Sequence, residues 1–144
     1  MPLHLLKLCV GAESIDDLQR WIAARVAERA RRGERGLSLH VTRMTPKRAA
    51  ELLDGGSLYW VIRGQVAARQ PLEEIEPFVD ADGIGRCRLW MRPGITPVLP
   101  RSCRPFQGWR YLAAPDAPPD LAGRDDLAIM PERLRRELSD LGLL

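Results

Sequence analysis

The sequence predicts an α+β fold: a mainly antiparallel or mixed sheet of about five to six strands that curls, with three to four helices. Three observations carry this. Helical spacing is confined to a few short segments, short apolar or alternating runs crowd residues 57–112, and the order β, α, β, α, β, then a run of β and a closing helix is not the strict alternation of a doubly wound sheet. The order is similar to that of the PUA-like group, small curled barrels with helices across one side. With 144 residues and 45% hydrophobic content, one domain over 1–144 has the size to bury its own core.

The first element is the apolar run of residues 3–10, a buried strand ending at Gly11. Ser14, with Asp17 three residues on, resembles a capping box, and Ile15, Leu18, Ile22, Val26 and Ala30 follow at helical spacing. Arg31 and Arg32 suit the negative end of that helix, and Gly33 supplies its stop. Leu37, Leu39 and Val41 then alternate with Ser38, His40 and Thr42, a half-buried strand with His40 and Thr42 on the face opposite the apolar one. Thr45 as N-cap and Pro46 at the first helical position open a short helix that closes at Gly55 and Gly56.

Residues 57–63 are aromatic and β-branched, a central strand that Gly64 bends before 65–69 continues and Pro71 stops it. Residues 72–79 read as a short helix. After a turn at Asp80, Asp82 and Gly83, Arg86, Arg88 and Trp90 alternate with Cys87, Leu89 and Met91 in a further strand. Residues 92–105, with four prolines, read as a surface connection or an edge strand around Val98 and Leu99, and 106–112 resume extended structure. A proline-rich linker over about 115–123 leads to an amphipathic helix over about 131–142, opened by Pro131, with Leu134, Leu138 and Leu141 as its buried stripe.

No apolar run approaches the roughly 20 residues of a membrane helix, and no basic n-region with a cleavage site opens the chain, so a soluble, cytoplasmic protein folded from Leu3 onward is expected. Cys9, Cys87 and Cys103 form no CxxC pair and predict reduced thiols, Cys9 as a buried small hydrophobe. With His4 and His40 as the only histidines, no metal site and no cofactor are expected. The net charge of +3 hides an asymmetry: residues 20–48 hold nine Lys/Arg against Glu28 and Glu34, whereas 70–84 hold Glu73, Glu74, Glu76, Asp80 and Asp82 and no base. Such a field can steer an anionic partner.

Neither a phosphate-cradling glycine loop nor a nucleophile elbow is present. Two segments combine anion-gripping donors with aromatics. In the first, a strand leads through Arg43, Lys47 and Arg48 into a capped helix terminus suited to a phosphate or carboxylate. The plainer reading pairs Arg43 and Lys47 with Glu51 and Asp54. In the second, Arg101 and Arg104 precede Phe106, Trp109, Arg110 and Tyr111, the mixture that holds single-stranded nucleic acid by stacking and phosphate neutralisation, unless the core claims the aromatics first.

The segments LCVG at residue 8, HVTRM with PKR at 40–48, LDGGSLYWVI at 53, RQ at 69 and RPFQGWRYL at 104 resemble an alphaproteobacterial family catalogued as a domain of unknown function. The resemblance covers the chain up to the proline-rich linker. It implies a bacterial, cytoplasmic, single-domain protein and brings no activity or catalytic residue.

The leading expectation is therefore a non-enzymatic binding module for RNA or single-stranded DNA, with Arg43, Lys47, Arg48 and Arg104 on phosphates and Trp109, Arg110 and Tyr111 stacking. A second is an enzyme acting on a phosphorylated or carboxylated small molecule with His40 as general base. A third is a protein-interaction role, in which the acidic turn and the C-terminal helix dock on a partner or a second copy.

Overall fold

The computed structural model describes residues 2–121. Its elements are β1 (His4–Leu8), α1 (Ile15–Arg31), β2 (Ser38–Thr42), α2 (Ala49–Leu53), β3 (Ser57–Ile62), β4 (Gln65–Val79), β5 (Gly85–Met91), β6 (Thr96–Ser102), β7 (Trp109–Leu112) and a 3-10 turn at Ala114–Asp116. The α+β class is as expected, and the sheet is mixed. It has seven strands rather than five or six, and the described residues hold two α-helices; the helix expected over about 131–142 lies outside them. None of these helices is long and apolar enough to cross a membrane.

The strand order is β2-β5-β4-β3-β1-β7, with β6 also pairing β4, and the sheet bends in the middle of β4. The first half of β4 pairs β3 on one side and β6 on the other; the second half pairs β5. The bend is fixed by polar groups. Buried Gln70 accepts from Trp60 Nε1 at 2.9 Å and donates to the Arg92 carbonyl at 2.8 Å, while the Arg92 N–H donates to the Pro71 carbonyl. At this corner the chain on both sides of β4 changes sheet partners, and a satisfied amide in the core makes the corner specific.

The short helix expected over 72–79 is the second half of β4, and Pro71 does not end the strand. The reason is cross-strand pairing: Glu73 bonds Arg92, Glu76 bonds Arg88 and the Trp90 Nε1, and Asp80 bonds Arg86, a ladder no helix could align with β5. Pro77 falls where β4 is paired on one side, which spares a ladder donor.

Helix α1 follows the sequence reading. The Asp17 N–H donates to Ser14 Oγ at 3.1 Å, Asp16 and Asp17 occupy the positive end, and Gly33 takes φ 75° beyond the last turn. Leu18 and Ile22 pack it onto the inner face of the bent sheet. There the main core gathers Leu5 from β1, Leu58 and Trp60 from β3, Cys87, Leu89 and Met91 from β5, and Leu52 from α2. The other face of β1 and β3 carries a second core, with Leu6, Tyr59, Val61, Val66, Val98 and Phe106. Burial on both faces explains why β3 reads as an unbroken apolar run. The β3–β4 hairpin turns on Arg63 and Gly64, both at positive φ (52° and 77°), the two-residue geometry whose twist matches the strands. A Cβ on Gly56 would stand 2.2 Å from the Leu52 carbonyl oxygen and 2.3 Å from that of Leu3, so glycine is required there.

Strand β2 inverts its expected orientation. Ser38 and Thr42 are buried and His40 turns toward Trp60, whereas Val41 is exposed and Leu39 lies beside Trp90 on the outer surface. The polar face can turn inward because Thr42 Oγ1 donates to the Met44 carbonyl and because the rim it meets is itself polar.

Candidate functional site

The bend brings the β2 end of the sheet toward β1 and β7. The Trp109 Nε1 donates to the Met44 carbonyl at 2.8 Å, and Tyr111 Oη accepts from the Arg48 N–H at 3.1 Å. The two basic segments picked out in the sequence therefore meet. Trp109 and Tyr111 form an edge-to-face pair 4.9 Å apart, and the Arg48 guanidinium stands 5.6 Å from the Tyr111 ring.

These bonds overturn the expected N-cap. Thr45 caps nothing and Pro46 is buried; α2 starts at Ala49, with Arg48 at its cap and no side-chain bond there. Met44 is pinned by donors from Thr42 and Trp109, so the chain cannot enter a helix until it has passed Pro46. A five-residue helix offers little dipole, so side-chain cations would have to do the gripping. Arg48 bonds Glu51 through two guanidinium nitrogens, which holds its pKa above and that of Glu51 below the ordinary value. Arg43 and Lys47 make no ion pair or hydrogen bond among the described residues, where pairing with Asp54 and Glu51 was the plainer expectation. Around them Met44 is 69% and Tyr111 36% exposed.

Arg110 is turned away from this surface, and Arg104 makes no contact with it among the described residues. Alternation along β7 sends Arg110 to the second core, where its guanidinium stands 5.2 Å from the Phe106 ring, and Arg104 is exposed in the preceding loop. Arg101 is spent on the Asp116 carbonyl.

His40 sits edge-on to Trp60 with ring centroids 5.3 Å apart. Its Nε2 is buried and has no partner among the described residues, at a cost of about 1–3 kcal/mol. Burial first, then the charges of Lys7 and Arg25, push its pKa down to about 4. Such a ring is neutral at pH 7 and a weak base.

Sequence reasoning missed a polar cluster on the second face. Arg69 grips Asp120 through Nε and Nη2, both at 2.8 Å, and donates from Nη1 to Ser57 Oγ at 2.9 Å. The Ser57 N–H donates to His4 Nδ1 at 3.0 Å, and His4 lies edge-on to Tyr59. Burial, then Arg69, lowers the His4 pKa; the bond from Arg69 draws the Asp120 carboxyl below its usual range. The arrangement is no catalytic triad, because His4 contacts the serine's backbone rather than its hydroxyl. Together with the Val98–Asp120 bridge, it fastens residues expected to form a linker onto the second core. Residues 51 apart in the chain leave no local motif by which to find the pair.

A family model described as "Protein of unknown function (DUF1489)" matches residues 5–144. No curated protein and no solved structure matches the chain.

Proposed function

The chain belongs to that family of proteins of unknown function, and from this premise we propose that it is a non-enzymatic module binding single-stranded nucleic acid at the surface of Arg43, Lys47, Arg48, Trp109 and Tyr111. The observation that carries the reading is the bond from Trp109 to the Met44 carbonyl, which ties the segment of Arg43 and Lys47, cations unpaired among the described residues, to that of a partly exposed aromatic pair. Cations neutralise phosphates, and a base can stack on Tyr111 or on the guanidinium already held over it. The buried, weakly basic His40 gives the enzyme alternative little support. Docking through the acidic segment has little too, since Glu73, Glu74, Glu76 and Asp80 are all ion-paired.

The test is fluorescence anisotropy with labelled single-stranded RNA, single-stranded DNA and duplex DNA at two salt concentrations. Submicromolar binding to one single strand at physiological salt is expected, and Arg43→Ala with Lys47→Ala should weaken it about tenfold and flatten the salt slope by about 1.4. Unchanged affinity and slope in the double variant would remove the assignment.

A further inference from the structure

We infer that Lys7 and His40, partly buried between the two halves of the bent sheet, together with the exposed Arg25 of α1, bind a phosphate dianion, either inorganic phosphate or a phosphate monoester. It lies inward of the surface just described and does not require that surface to bind nucleic acid. Three elements contribute. Lys7 is the single charged residue of β1 and points to the inner face with Leu5; its neighbours across the sheet are Trp60 on β3 and Trp109 on β7. His40 on β2 meets the same Trp60 ring from the other half of the sheet. Arg25 comes from α1, between the core-facing Ile22 and Val26, with its guanidinium 4.1 Å from the Trp21 ring.

The charges of Lys7 and Arg25 both act on His40, and neither cation forms an ion pair among the described residues. Burial alone also lowers the Lys7 pKa, with no acid to offset it. Among the described residues these two like charges, Lys7 with Trp60 and Trp109 as its neighbours, and the buried His40 nitrogen without a partner have no counterion of charge −2 that also meets the imidazole. A phosphate dianion supplies both: its charge matches the two cations, and one oxygen takes a hydrogen bond from His40 Nε2. A carboxylate supplies half the charge.

The experiment follows the His40 ring signals by NMR during titration with inorganic phosphate, with acetate as comparison. A saturable shift is expected, weakened about tenfold by Arg25→Gln and by Lys7→Met. Arg25 is exposed, so its variant tests the site without touching the core. Arg43→Ala with Lys47→Ala should leave phosphate binding intact even where it abolishes nucleic-acid binding, which separates failure of this site from failure of the outer surface. A 5′-phosphorylated oligonucleotide displacing phosphate where its 5′-hydroxyl twin does not would identify a strand end as the source; equal behaviour would identify free phosphate. Absence of a saturable shift up to roughly 20 mM, where even a millimolar site is mostly filled, would overturn the inference. So would acetate binding as tightly as phosphate, or both variants binding like wild type.

Discussion

The two charged stretches of the chain meet different fates. On the outer face of β4 and β5, every acid of the ladder has found an arginine: Glu73 with Arg92, Glu74 with Arg35, Glu76 with Arg88, Asp80 with Arg86. Arg88 and Arg35 are further stacked, 3.7 Å from the Phe78 ring and 4.7 Å from that of Trp90. At the opposite rim, Lys7, Arg43 and Lys47 have no acid among the described residues. An acidic run in a sequence is therefore no acidic surface when the next strand returns with arginines at period two, and on that face few charges are left over to act at a distance.

The largest test of this contrast is acid. A histidine whose pKa falls from 6.5 unfolded to about 4 folded leaves the unfolded chain holding the extra proton between those values, so stability falls as pH drops from about 6.5 to 4. His40 alone should account for up to about 3 kcal/mol of that loss, and denaturant titrations of His40→Phe should show a flatter profile. An equal slope in that variant would mean that burial, with the charges of Lys7 and Arg25, does not hold His40 neutral in the fold.

Next, Glu74→Gln with Glu76→Gln should turn the silent face into a binding one. Releasing Arg35 and Arg88 adds up to two phosphate contacts, raising nucleic-acid affinity several-fold at low salt and steepening the salt slope by about 1.4. On the second face, Asp120→Asn should cost about 1 kcal/mol, discounted for the partial exposure of both groups. The Asp120 carboxyl titrates lower folded than unfolded, so this contribution is present above the ordinary Asp pKa and fades as pH falls through the folded value. Smallest of all, Lys47→Ala should change stability by less than about 0.5 kcal/mol, which separates a residue kept for binding from one kept for folding.

What was legible in the sequence is what neighbours in the chain decide. Ser14 and Gly33 mark α1 because capping is settled within a turn, and Cys87, Leu89 and Met91 mark the buried face of β5 because a strand alternates. The helix expected over 72–79 failed because Leu72, Ile75 and Val79 fit a helical stripe as well as a strand, and the deciding partners sit on β5. The Thr45 cap failed because a tryptophan 65 residues beyond Met44 fixes the backbone first. Of the proposed binding residues, Arg48, Trp109 and Tyr111 come together, with Arg43 and Lys47 on the same segment as Arg48, and Arg110 does not, since β7 turns alternate residues to opposite faces. Of the inner cluster, the sequence showed His40 and, as a lone charge in an apolar strand, Lys7.

The Trp109–Met44 bond also sets an order of assembly. A chain leaving the ribosome from its N-terminus makes β1, α1 and β2 early, yet the 43–48 loop has only local bonds, from Thr42 and to Glu51, until β7 emerges and lies down antiparallel on β1. Until then β1 offers an unpaired edge beside a Lys7 whose tryptophan wall is half built. A nascent chain stalled before residue 109 should expose that edge to proteases, and release of a few further residues should close it and join the 43–48 loop to Trp109 and Tyr111 in one step.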